Sequence, residues 1–551
     1  MKSKNNLVLF FILIFGFLIR LIGLNWDQGQ HLHPDERFLT MVLTDISLPA
    51  SFYDYINPQI SPLNPYNHNF DFFVYGSFPL NFIKVMGQIL NQTSYHQIYL
   101  VGRIITVCLD TSVIFLVFLI AQKIFNPKSG LIAAFLYSIC VLPIQLSHFF
   151  TVDPFLNFFL TLTFYLLLTL KPSRSQFLHF ILLSLSYSLA ITSKISAIYF
   201  APVILLFFIF YFKNLKRLFV YALSFSFLTL FFVRLNQPQL FTSGSFLNWN
   251  PNPQFLSNLK DLKSYDRNPI YPPSIQWLKV SPLIFPLQNI IFWGLGLPFG
   301  SIFILSLVHH FFNLVKNPLK SNFYLFIVIF WILFLFIVQG IQPVTTMRYF
   351  LPIYPFISII TATLIYNLFS RKSKLFNHPV ARFFLIFSLL FYPFLFMSIY
   401  FKDHPRVAAS KWIYQHLPPS STIAVEYWDD ALPLSIGASL SSDYQYQILH
   451  VADYPDTDTK INHLLQQLSV SDYLILSSNR FYQPIPANSD IFPRTSTYYH
   501  SLFSGDLGFS PIAQFTSYPC FFSFCLNDDF AEEAFTVYDH PKVIIFQKNR
   551  L

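Results

Sequence analysis

The sequence predicts a polytopic α-helical membrane protein with a small α/β domain at its C-terminus. Hydrophobic residues make up 54% of the 551 positions and charged residues only 11%, whereas about 25% of a typical soluble chain is charged. Apolar runs of about 20 residues, long enough to cross a ~30 Å hydrocarbon core, recur along the chain. The basic residues lie in short groups between these runs, so the net charge of +9 does not indicate a nucleic-acid partner.

About eleven transmembrane helices are predicted. The first, Leu7 to Leu24, follows Lys2 and Lys4 as a signal peptide would, but no small-residue cleavage site follows it, so we expect a retained helix. Arg20, near its far end, is expected to snorkel toward the interface. The other predicted spans are 98–122, 130–148, 151–170, 177–194, 196–212, 218–235, 286–312, 322–340, 349–369 and 380–401.

The basic residues predict the orientation of these spans. They fall in alternate connections, and the side rich in Lys and Arg is cytoplasmic. We therefore expect a multi-pass protein of the cell membrane with a cytoplasmic N-terminus, and with the loops 25–97 and 236–285 outside. The groups are Lys2 and Lys4; Lys123 and Lys128; Lys171 and Arg174; Lys213, Lys216 and Arg217; Lys316 and Lys320; Arg371, Lys372 and Lys374.

The composition changes after residue 403. Residues 1–403 are predicted to form a transmembrane domain, and residues 404–551 a small extracytoplasmic α/β domain. A short helix is expected over Ala408 to His416, and buried strands at 422–425, 473–476 and 543–546. Cys520 and Cys525 could close a small disulfide if this tail lies outside the cytoplasm.

The stretch His33-Pro34-Asp35-Glu36-Arg37 is the first candidate site. Two adjacent carboxylates follow the first span in a chain that has few charges. One carboxylate can accept a proton from an incoming hydroxyl group while its neighbour holds that group in place. The alternative is a helix cap or a salt-bridged loop in which Glu36 pairs with Arg37.

Ionisable residues at membrane depth are costly, so each is a further candidate. Arg103 and Asp110 share one face of the second span, where they brace each other through a third group or Arg103 points toward an outer cavity. Asp153, before Pro154, suits a helix cap or a second acidic group facing Asp35. Lys194 and Arg348, at outer ends of spans, suit either a lipid phosphate or snorkelling.

These motifs resemble those of the GT-C superfamily of polyprenyl-phosphate-sugar-dependent glycosyltransferases, and in particular its protein O-mannosyltransferase and aminoarabinose transferase branch. The resemblance covers roughly residues 7–400. The tail is not the β-trefoil insertion of the eukaryotic O-mannosyltransferases and is similar to the outer domains of bacterial relatives. The motifs are His33-Pro34-Asp35-Glu36, Ser77-Phe78-Pro79-Leu80, Gly102-Arg103 with Asp110, Asp153-Pro154, Lys194 and Arg348-Tyr349-Phe350-Leu351-Pro352.

The resemblance implies an inverting transfer of a mannose-like hexose or a pentose from a polyprenyl-phosphate donor to an acceptor hydroxyl. Asp35 would be the general base and Glu36 would support it. Arg348, Lys194 and Arg103 would stabilise the leaving phosphate, and Asp153, His33 and His148 would orient the substrates. The acceptor could be a protein, a glycolipid or a cell-wall polymer. The oligosaccharyltransferase branch uses a divalent metal, but no further carboxylate cluster indicates one here.

Two other classes of protein also fit the pattern. Intramembrane Arg, Asp and Lys line the paths of transporters and flippases for lipid-linked or anionic substrates, although no repeated span pattern is visible. A binding or assembly protein whose outer domain does the work is the third possibility, and it would leave Asp35 and Glu36 dispensable.

Overall fold

The computed structural model describes residues 2–170, 176–267, 271–316, 322–370 and 378–549. Seven helices in these ranges are long and apolar enough to cross a membrane, and a bent helix pair would make eight. Three shorter apolar helices accompany them. The polytopic helical class is therefore confirmed, while the number of eleven spans stays a prediction. Lys171, Arg174, Lys320, Arg371, Lys372 and Lys374, which support the predicted orientation, lie outside the described residues.

The α-helices of the described ranges are α1 (Lys2–Leu21), α2 (Pro34–Asp45), α3 (Phe52–Ile56), α4 (Ser77–Ile89), α5 (Tyr95–Ile124), α6 (Pro127–Ser138), α7 (Val141–Ser147), α8 (Asp153–Thr169), α9 (Gln176–Ile191), α10 (Ala201–Tyr211), α11 (Leu215–Asn236), α12 (Pro253–Arg267), α13 (Ile284–Asn289), α14 (Leu297–Lys316), α15 (Phe323–Gly340), α16 (Tyr354–Ser370), α17 (Pro379–Met397), α18 (Pro405–His416), α19 (Asp458–Ser469), α20 (Pro484–Ala487), α21 (Pro493–Ser504) and α22 (Glu533–Thr536). Short 3₁₀ segments join several of them, at Pro65–His68, Ile195–Phe200, Pro238–Leu240, Pro272–Trp277, Met347–Ile353, Ser398–Phe401 and Ser441–Asp443, and a π-helical turn covers Ile290–Gly294.

Two predicted spans are broken in the structure. The run 130–148 is a pair, α6 and α7, bent by 59°. The run 286–312 starts as the short α13 and a π-helical turn, and α14 begins only at Leu297. Gly296 lies in that break with φ of +83°, a backbone conformation that favours glycine. Hydropathy alone does not register either break, because the residues on both sides are apolar.

The α5 helix lies at the centre of the membrane domain, packed against α1, α6, α8 and α16. Its inner face is lined by Val113, Val117 and Ile120, none of which is exposed. The position of Arg20 follows from this packing. The α1 helix places Arg20 against α5 and α6, so its side chain is fully buried, and the prediction that it snorkels toward the interface is wrong.

A buried ion pair joins α1 to α5. Arg20 Nε lies 2.6 Å from Asp110 Oδ2, and both side chains are at most 1% exposed. Arg20 also donates to the carbonyl oxygens of Gly16 and Ser138, and the Tyr137 hydroxyl donates to Asp110 Oδ1. Asp110 therefore braces Arg20 and not Arg103. A buried pair with its remaining donors satisfied is tolerated, but either partner alone is a buried, uncompensated charge.

Replacing Asp110 with Ala should therefore destabilise the protein by about 3–5 kcal/mol, because it leaves the Arg20 guanidinium unpaired. Thermal unfolding in one detergent measures this. The double variant Arg20→Met/Asp110→Leu should recover most of the loss. Arg217→Met, which removes an exposed guanidinium, is the control and should change the unfolding temperature little. Equal losses in the single and double variants would contradict the ion-pair explanation.

The C-terminal part contains a five-stranded sheet, which confirms the predicted α/β character. The strands are β1 (Thr422–Glu426), β2 (Gln445–Leu449), β3 (Tyr473–Leu476), β4 (Phe509–Phe515), β5 (Cys520–Phe521), β6 (Phe524–Cys525) and β7 (Val543–Lys548). The strand order in the sheet is β2-β1-β3-β7-β4, with β1 parallel to β2 and β3, and β7 antiparallel to β3 and β4. The predicted strands are β1, β3 and β7; β2 and β4 were not predicted because they are half-exposed edge strands.

One stretch of this domain, Asp528–His540, is inserted among the membrane helices, and we call it the docking segment. Its Phe535 is part of the same apolar core as α5 and α16. Its Asp539 accepts hydrogen bonds from Tyr400 (2.8 Å) and from Gln145 on α7 (3.1 Å). The domain boundary at residue 403 stays a prediction, since the docking segment ties the two parts together.

Candidate active site

The site begins at the N-terminus of α2. Pro34 occupies the first helical turn, and His33 caps the helix, its Nδ1 accepting from the Glu36 N–H at 3.4 Å. The His33 ring is 1% exposed and packs between Phe149 (4.7 Å between ring centroids) and Tyr538 of the docking segment (4.3 Å). His33 therefore fixes the start of α2 and does not face open space.

Arg103 on α5 holds this start in place through two carboxylates. Its guanidinium binds Asp27 with two contacts of 3.0 Å and Glu36 with contacts of 2.5 and 2.9 Å. Its remaining N–H group donates to the Leu24 carbonyl at 2.8 Å. All three charged side chains are fully buried. Arg103 has five N–H donors, and all are used, so none is left for a phosphate.

The pKa values of the two carboxyl groups in this cluster shift in opposite directions. Burial opposes ionisation of Asp27, but the Arg103 charge, together with hydrogen bonds from Arg103 and the Leu32 N–H, outweighs it and lowers the Asp27 pKa. Burial dominates at Glu36 and raises its pKa. Glu36 also accepts from the Phe150 N–H at 2.7 Å. The Phe150 ring lies so close to α5 that a side chain at Gly102 would come within 2.4 Å of it. Glu36 is thus committed to the interior, and Arg37 pairs instead with Asp430 at 2.7 Å.

Asp35 points the other way, because consecutive helix residues are about 100° apart. Its Oδ2 lies 2.5 Å from Nη1 of Arg348, and the two side chains are 20% and 24% exposed. Burial alone would raise the Asp35 pKa. The Arg348 charge outweighs it, helped by His33 and by hydrogen bonding from Arg348 and Tyr75, and brings the pKa to about 2.

A second carboxylate–cation pair lies beside the first. Lys194 Nζ lies 2.7 Å from Asp153 Oδ1. Asp153 is the first residue of α8, and Lys194 precedes the 3₁₀ segment Ile195–Phe200. Both cations flank the Tyr349 ring, with Lys194 Nζ 4.5 Å and Arg348 Cζ 5.6 Å from its centroid. Two cations, each neutralised by its own carboxylate, therefore meet at one aromatic ring.

These four charged residues line one cavity of about 230 Å³. Tyr75 and Tyr349 add polar groups, and most of the remaining wall is apolar. That wall includes Val152, Leu156, Leu160, Leu259, Leu262, Trp331 and Leu335. An anionic group bound at the two cations would thus have hydrocarbon-lined space next to it.

Of the residues predicted for the site, the structure brings Asp35, Asp153, Lys194 and Arg348 together at one cavity, and their roles stay predictions. It does not bring Glu36, Arg103, His33 or His148 to the cavity wall. His148 is fully buried, its ring nitrogens near the Ile144 and Ile22 carbonyls and its ring stacked on Tyr400 at 3.8 Å. These four residues support the wall from behind.

Sequence reasoning missed several residues of the site. Asp27 carried a usable signal, an acidic residue directly after the first span. Glu532 carried none, since its partners are far away in sequence, and Tyr538 belongs to a stretch that indicated only the similarity of the tail to the outer domains of bacterial relatives. Glu532 Oε1 accepts from the Met347 N–H (2.8 Å) and the Thr346 hydroxyl (3.0 Å), at the start of the 3₁₀ segment that carries Arg348. The docking segment thereby contacts the residue preceding a site cation.

A pH dependence of stability follows from Glu532. Burial raises its pKa to about 8, against about 4.3 in an unfolded chain. Such a group stabilises the fold at low pH, and this stabilisation is lost as the pH rises toward about 8. We expect Glu532→Gln to gain in unfolding temperature relative to the parent protein as the pH rises over that range, because the variant lacks this titrating carboxyl. The comparison with the parent protein is needed because burial lowers the pKa of His31, His33 and His404, and these groups act with the opposite sign. Thermal unfolding at a series of pH values measures it.

Some of the pH dependence should persist in Glu532→Gln. Burial also raises the pKa of Glu426 to about 8 and of Glu533 to about 7, so these carboxyls contribute with the same sign. Glu533 and Arg348 are the charged groups that act on Glu532 itself. Asp443→Asn, at an exposed carboxylate, is the control. If the unfolding temperature of Glu532→Gln depended on pH in the same way as that of the parent protein, the assignment of this pH dependence to Glu532 would be contradicted.

The donor set does not fit a divalent metal. Among the described residues, no group of three or more His, Cys, Asp or Glu side chains is placed to hold one. Asp35 and Asp153 are the acidic residues in the cavity wall, and each is paired with a cation. We therefore derive no step through a metal.

The described residues form a polytopic helical bundle with a sheet-containing C-terminal part, and comparison with known proteins confirms the resemblance seen in the sequence. Residues 80–235 match the family model of dolichyl-phosphate-mannose-protein mannosyltransferases. No curated protein matches the chain by sequence.

Three solved structures illustrate the likeness. The oligosaccharyltransferase AglB from Archaeoglobus fulgidus, in complex with an inhibitory peptide and a dolichol-phosphate, has 14% identity and a TM-score of 0.56, over 90% of this chain and 72% of that one. The apo form of the A. fulgidus enzyme has 13% identity and a TM-score of 0.54, over 100% and 89%. ArnT from Cupriavidus metallidurans bound to undecaprenyl phosphate has 12% identity and a TM-score of 0.48, over 99% and 98%.

Proposed function

We propose that the chain is an inverting glycosyltransferase that moves a sugar from a polyprenyl-phosphate donor to an acceptor hydroxyl. The observation that carries the proposal is the pair of carboxylate–cation contacts, Asp35–Arg348 and Asp153–Lys194, in a cavity with apolar walls. The match to the mannosyltransferase family and the dolichol-phosphate in the AglB complex support the donor class.

Arg348 and Lys194 would hold the donor phosphate. Arg presents a planar fork of donors and Lys a point charge, and both suit phosphate oxygens. When the bond between the anomeric carbon and the phosphate oxygen breaks, negative charge develops on that oxygen. Cations already in position stabilise this charge without moving. Both cations lie near the Tyr349 ring, Lys194 Nζ at 4.5 Å and Arg348 Cζ at 5.6 Å from its centroid.

Asp35 would be the general base, and its contact with Arg348 suggests an order of binding. Paired with Arg348, Asp35 has a pKa of about 2 and is a weak base. A phosphate that takes over Arg348 weakens this stabilisation of the carboxylate, so the Asp35 pKa rises and its basicity with it. In this proposal, donor binding therefore activates the base. By the same exchange, a phosphate on Lys194 frees Asp153 to orient a sugar hydroxyl.

The reaction is then a single displacement. The acceptor oxygen forms a bond to the anomeric carbon, its proton goes to Asp35, and the polyprenyl phosphate leaves with the electrons of the broken bond. Because no carboxylate attacks the sugar first, the anomeric configuration inverts. Glu36 and Arg103 act as positioning residues, since they fix α2 and do not line the cavity.

An aromatic rim offers a path for the acceptor. Leu262 on α12 lines the cavity, and Tyr265, one turn further, stacks on Tyr271 at 5.1 Å. Burial, and then the nearby Asp35 charge, raise the Tyr271 pKa. Tyr271 in turn meets the Trp428 ring edge-to-face at 5.1 Å. Trp428 follows β1 with φ of +104° and is 40% exposed. Strained residues of this kind cluster at functional sites, and exposed rings suit a sugar or peptide acceptor.

The proposal keeps the predicted orientation. It places the N-terminus in the cytoplasm and residues 404–551 outside, where the acceptor would be a protein, a glycolipid or a cell-wall polymer. The Cys520–Cys525 disulfide is consistent with an oxidising compartment.

Asp35→Asn should lower kcat by about 100-fold to 10,000-fold, the contribution of a general base. Donor affinity should stay the same or increase, because Arg348 loses its competing carboxylate. The measurement is binding and turnover of a panel of polyprenyl-phosphate sugars by purified protein. Asp45→Asn, at an exposed carboxylate on the same helix, is the control and should keep full activity.

The result separates the proposal from its alternative. Asp35→Asn with the turnover of the parent protein would overturn the assignment of the base. Absence of donor binding by both proteins, with transport of a lipid-linked substrate retained in the variant, would favour a transporter or flippase instead.

Trp428→Ala should raise the acceptor KM about threefold to tenfold, as expected for loss of one aromatic contact. The donor KM should not change, because Trp428 lies at the rim. Initial rates with an acceptor fraction from cell envelopes measure both values. Trp249→Ala is the matched control, since Trp249 is also 40% exposed but packs on Phe241 elsewhere. A rise in donor KM alone would contradict the acceptor path.

A further inference from the structure

A short hairpin in the C-terminal part, Tyr518–Leu526, displays an unusual surface, and we call it the disulfide hairpin. Strands β5 and β6 pair in it, and Cys520 is bonded to Cys525. Phe521, Phe522 and Phe524 are 60%, 89% and 53% exposed. The sequence from 518 to 526 contains no charged residue. Clustered exposed apolar side chains mark an interaction surface.

The hairpin lies against the end of a membrane helix. The Cys520 N–H donates to the Ser398 hydroxyl, just past α17, at 2.8 Å. The Phe524 ring contacts the Phe391 ring, with 5.7 Å between centroids. Phe391 lies six residues before Met397, the last residue of α17. At 1.5 Å per residue this is about 9 Å inside the helix end. The hairpin therefore reaches down beside the span.

The α17 surface that it meets is exposed and apolar. Phe387 and Phe394 are 52% and 53% exposed, and Phe391, between them, is 36% exposed. A helix of a polytopic protein with such a face presents it to lipid. The Phe524 side chain of the hairpin meets this face at Phe391. The lipid that covers this face of α17 is therefore also within reach of the hairpin's Phe side chains.

We propose that the disulfide hairpin is a membrane anchor, in which Phe521, Phe522 and Phe524 insert into the lipid leaflet on the side of the C-terminal domain. Burial of their apolar surface in lipid favours insertion. Pairing of β5 with β6 satisfies backbone groups that would otherwise face hydrocarbon. The hairpin leads directly into the docking segment, so the anchor would hold that segment at a fixed depth.

The test introduces an indole at the tip. Phe522→Trp is reconstituted as single copies in nanodiscs whose acyl chains carry bromine, which quenches indole fluorescence on contact. The fluorescence of the parent protein, with its 7 Trp residues, is subtracted. Phe503→Trp is the matched control: Phe503 is 49% exposed and its ring packs on Tyr482 and Phe546 in the C-terminal part.

Insertion of the hairpin should quench the indole introduced by Phe522→Trp at least about twofold relative to unbrominated lipid, with bromine near the headgroup more effective than bromine near the chain end. The indole introduced by Phe503→Trp should be quenched little. Equal quenching at both positions would overturn the proposal. The same experiment in nanodiscs that hold two copies tests whether a second chain covers the hairpin. If the indole at position 522 were shielded from lipid and water only in the two-copy nanodiscs, a second chain would be the partner, and the proposal would be overturned.

Discussion

The site depends on the ion pairs that the Arg103 guanidinium makes with Asp27 and Glu36. The guanidinium is fully buried, uses every donor it has, and binds Asp27, Glu36 and the Leu24 carbonyl. The end of the first span and the start of α2 are thereby fixed on the central helix α5. The direction of Asp35 follows from that, since Glu36 next to it is already committed to the interior. Removing the guanidinium would leave Asp27, whose pKa it lowers, as an unpaired buried charge, so the cluster is retained or lost as a unit.

Two adjacent carboxylates therefore have opposite surroundings. Glu36 is fully buried, and burial raises its pKa. Asp35 is partly exposed, and the pairing with Arg348 lowers its pKa to about 2. In the proposed mechanism only Asp35 is within reach of substrate, and its basicity is controlled by whichever anion occupies Arg348. Glu36 fixes α2 in the interior, and in the proposed mechanism Asp35 reacts in the cavity. The two side chains point in different directions because neighbouring residues on a helix are about 100° apart.

Much of this was predictable from the sequence. Most helices were found because hydrocarbon-length apolar runs identify them. Asp35 was selected because two adjacent carboxylates follow the first span, and Asp153, Lys194 and Arg348 were selected because ionisable residues at membrane depth are costly. The partners of these charges were not predictable. Arg20 pairs with Asp110, and Arg103 pairs with Asp27 and Glu36. Helix packing brings these partners together, and the spacing of apolar residues along the sequence does not predict which helices pack. The contact of Glu532 with Met347 joins residues far apart in the chain, and no local pattern marks either.

The C-terminal part contacts residues next to the site, although none of its described residues lines the cavity. Three of its residues reach the structure around Asp35: Tyr538 packs on His33, Asp430 pairs with Arg37, and Glu532 binds the backbone before Arg348. Each contact touches a residue within two positions of Asp35 or Arg348. A change in the domain's position would therefore be transmitted to both members of that ion pair. In the proposed reaction, the domain that contributes Trp428 to the acceptor rim also contacts the residues around the base, so acceptor binding and the placement of Asp35 are coupled through these contacts.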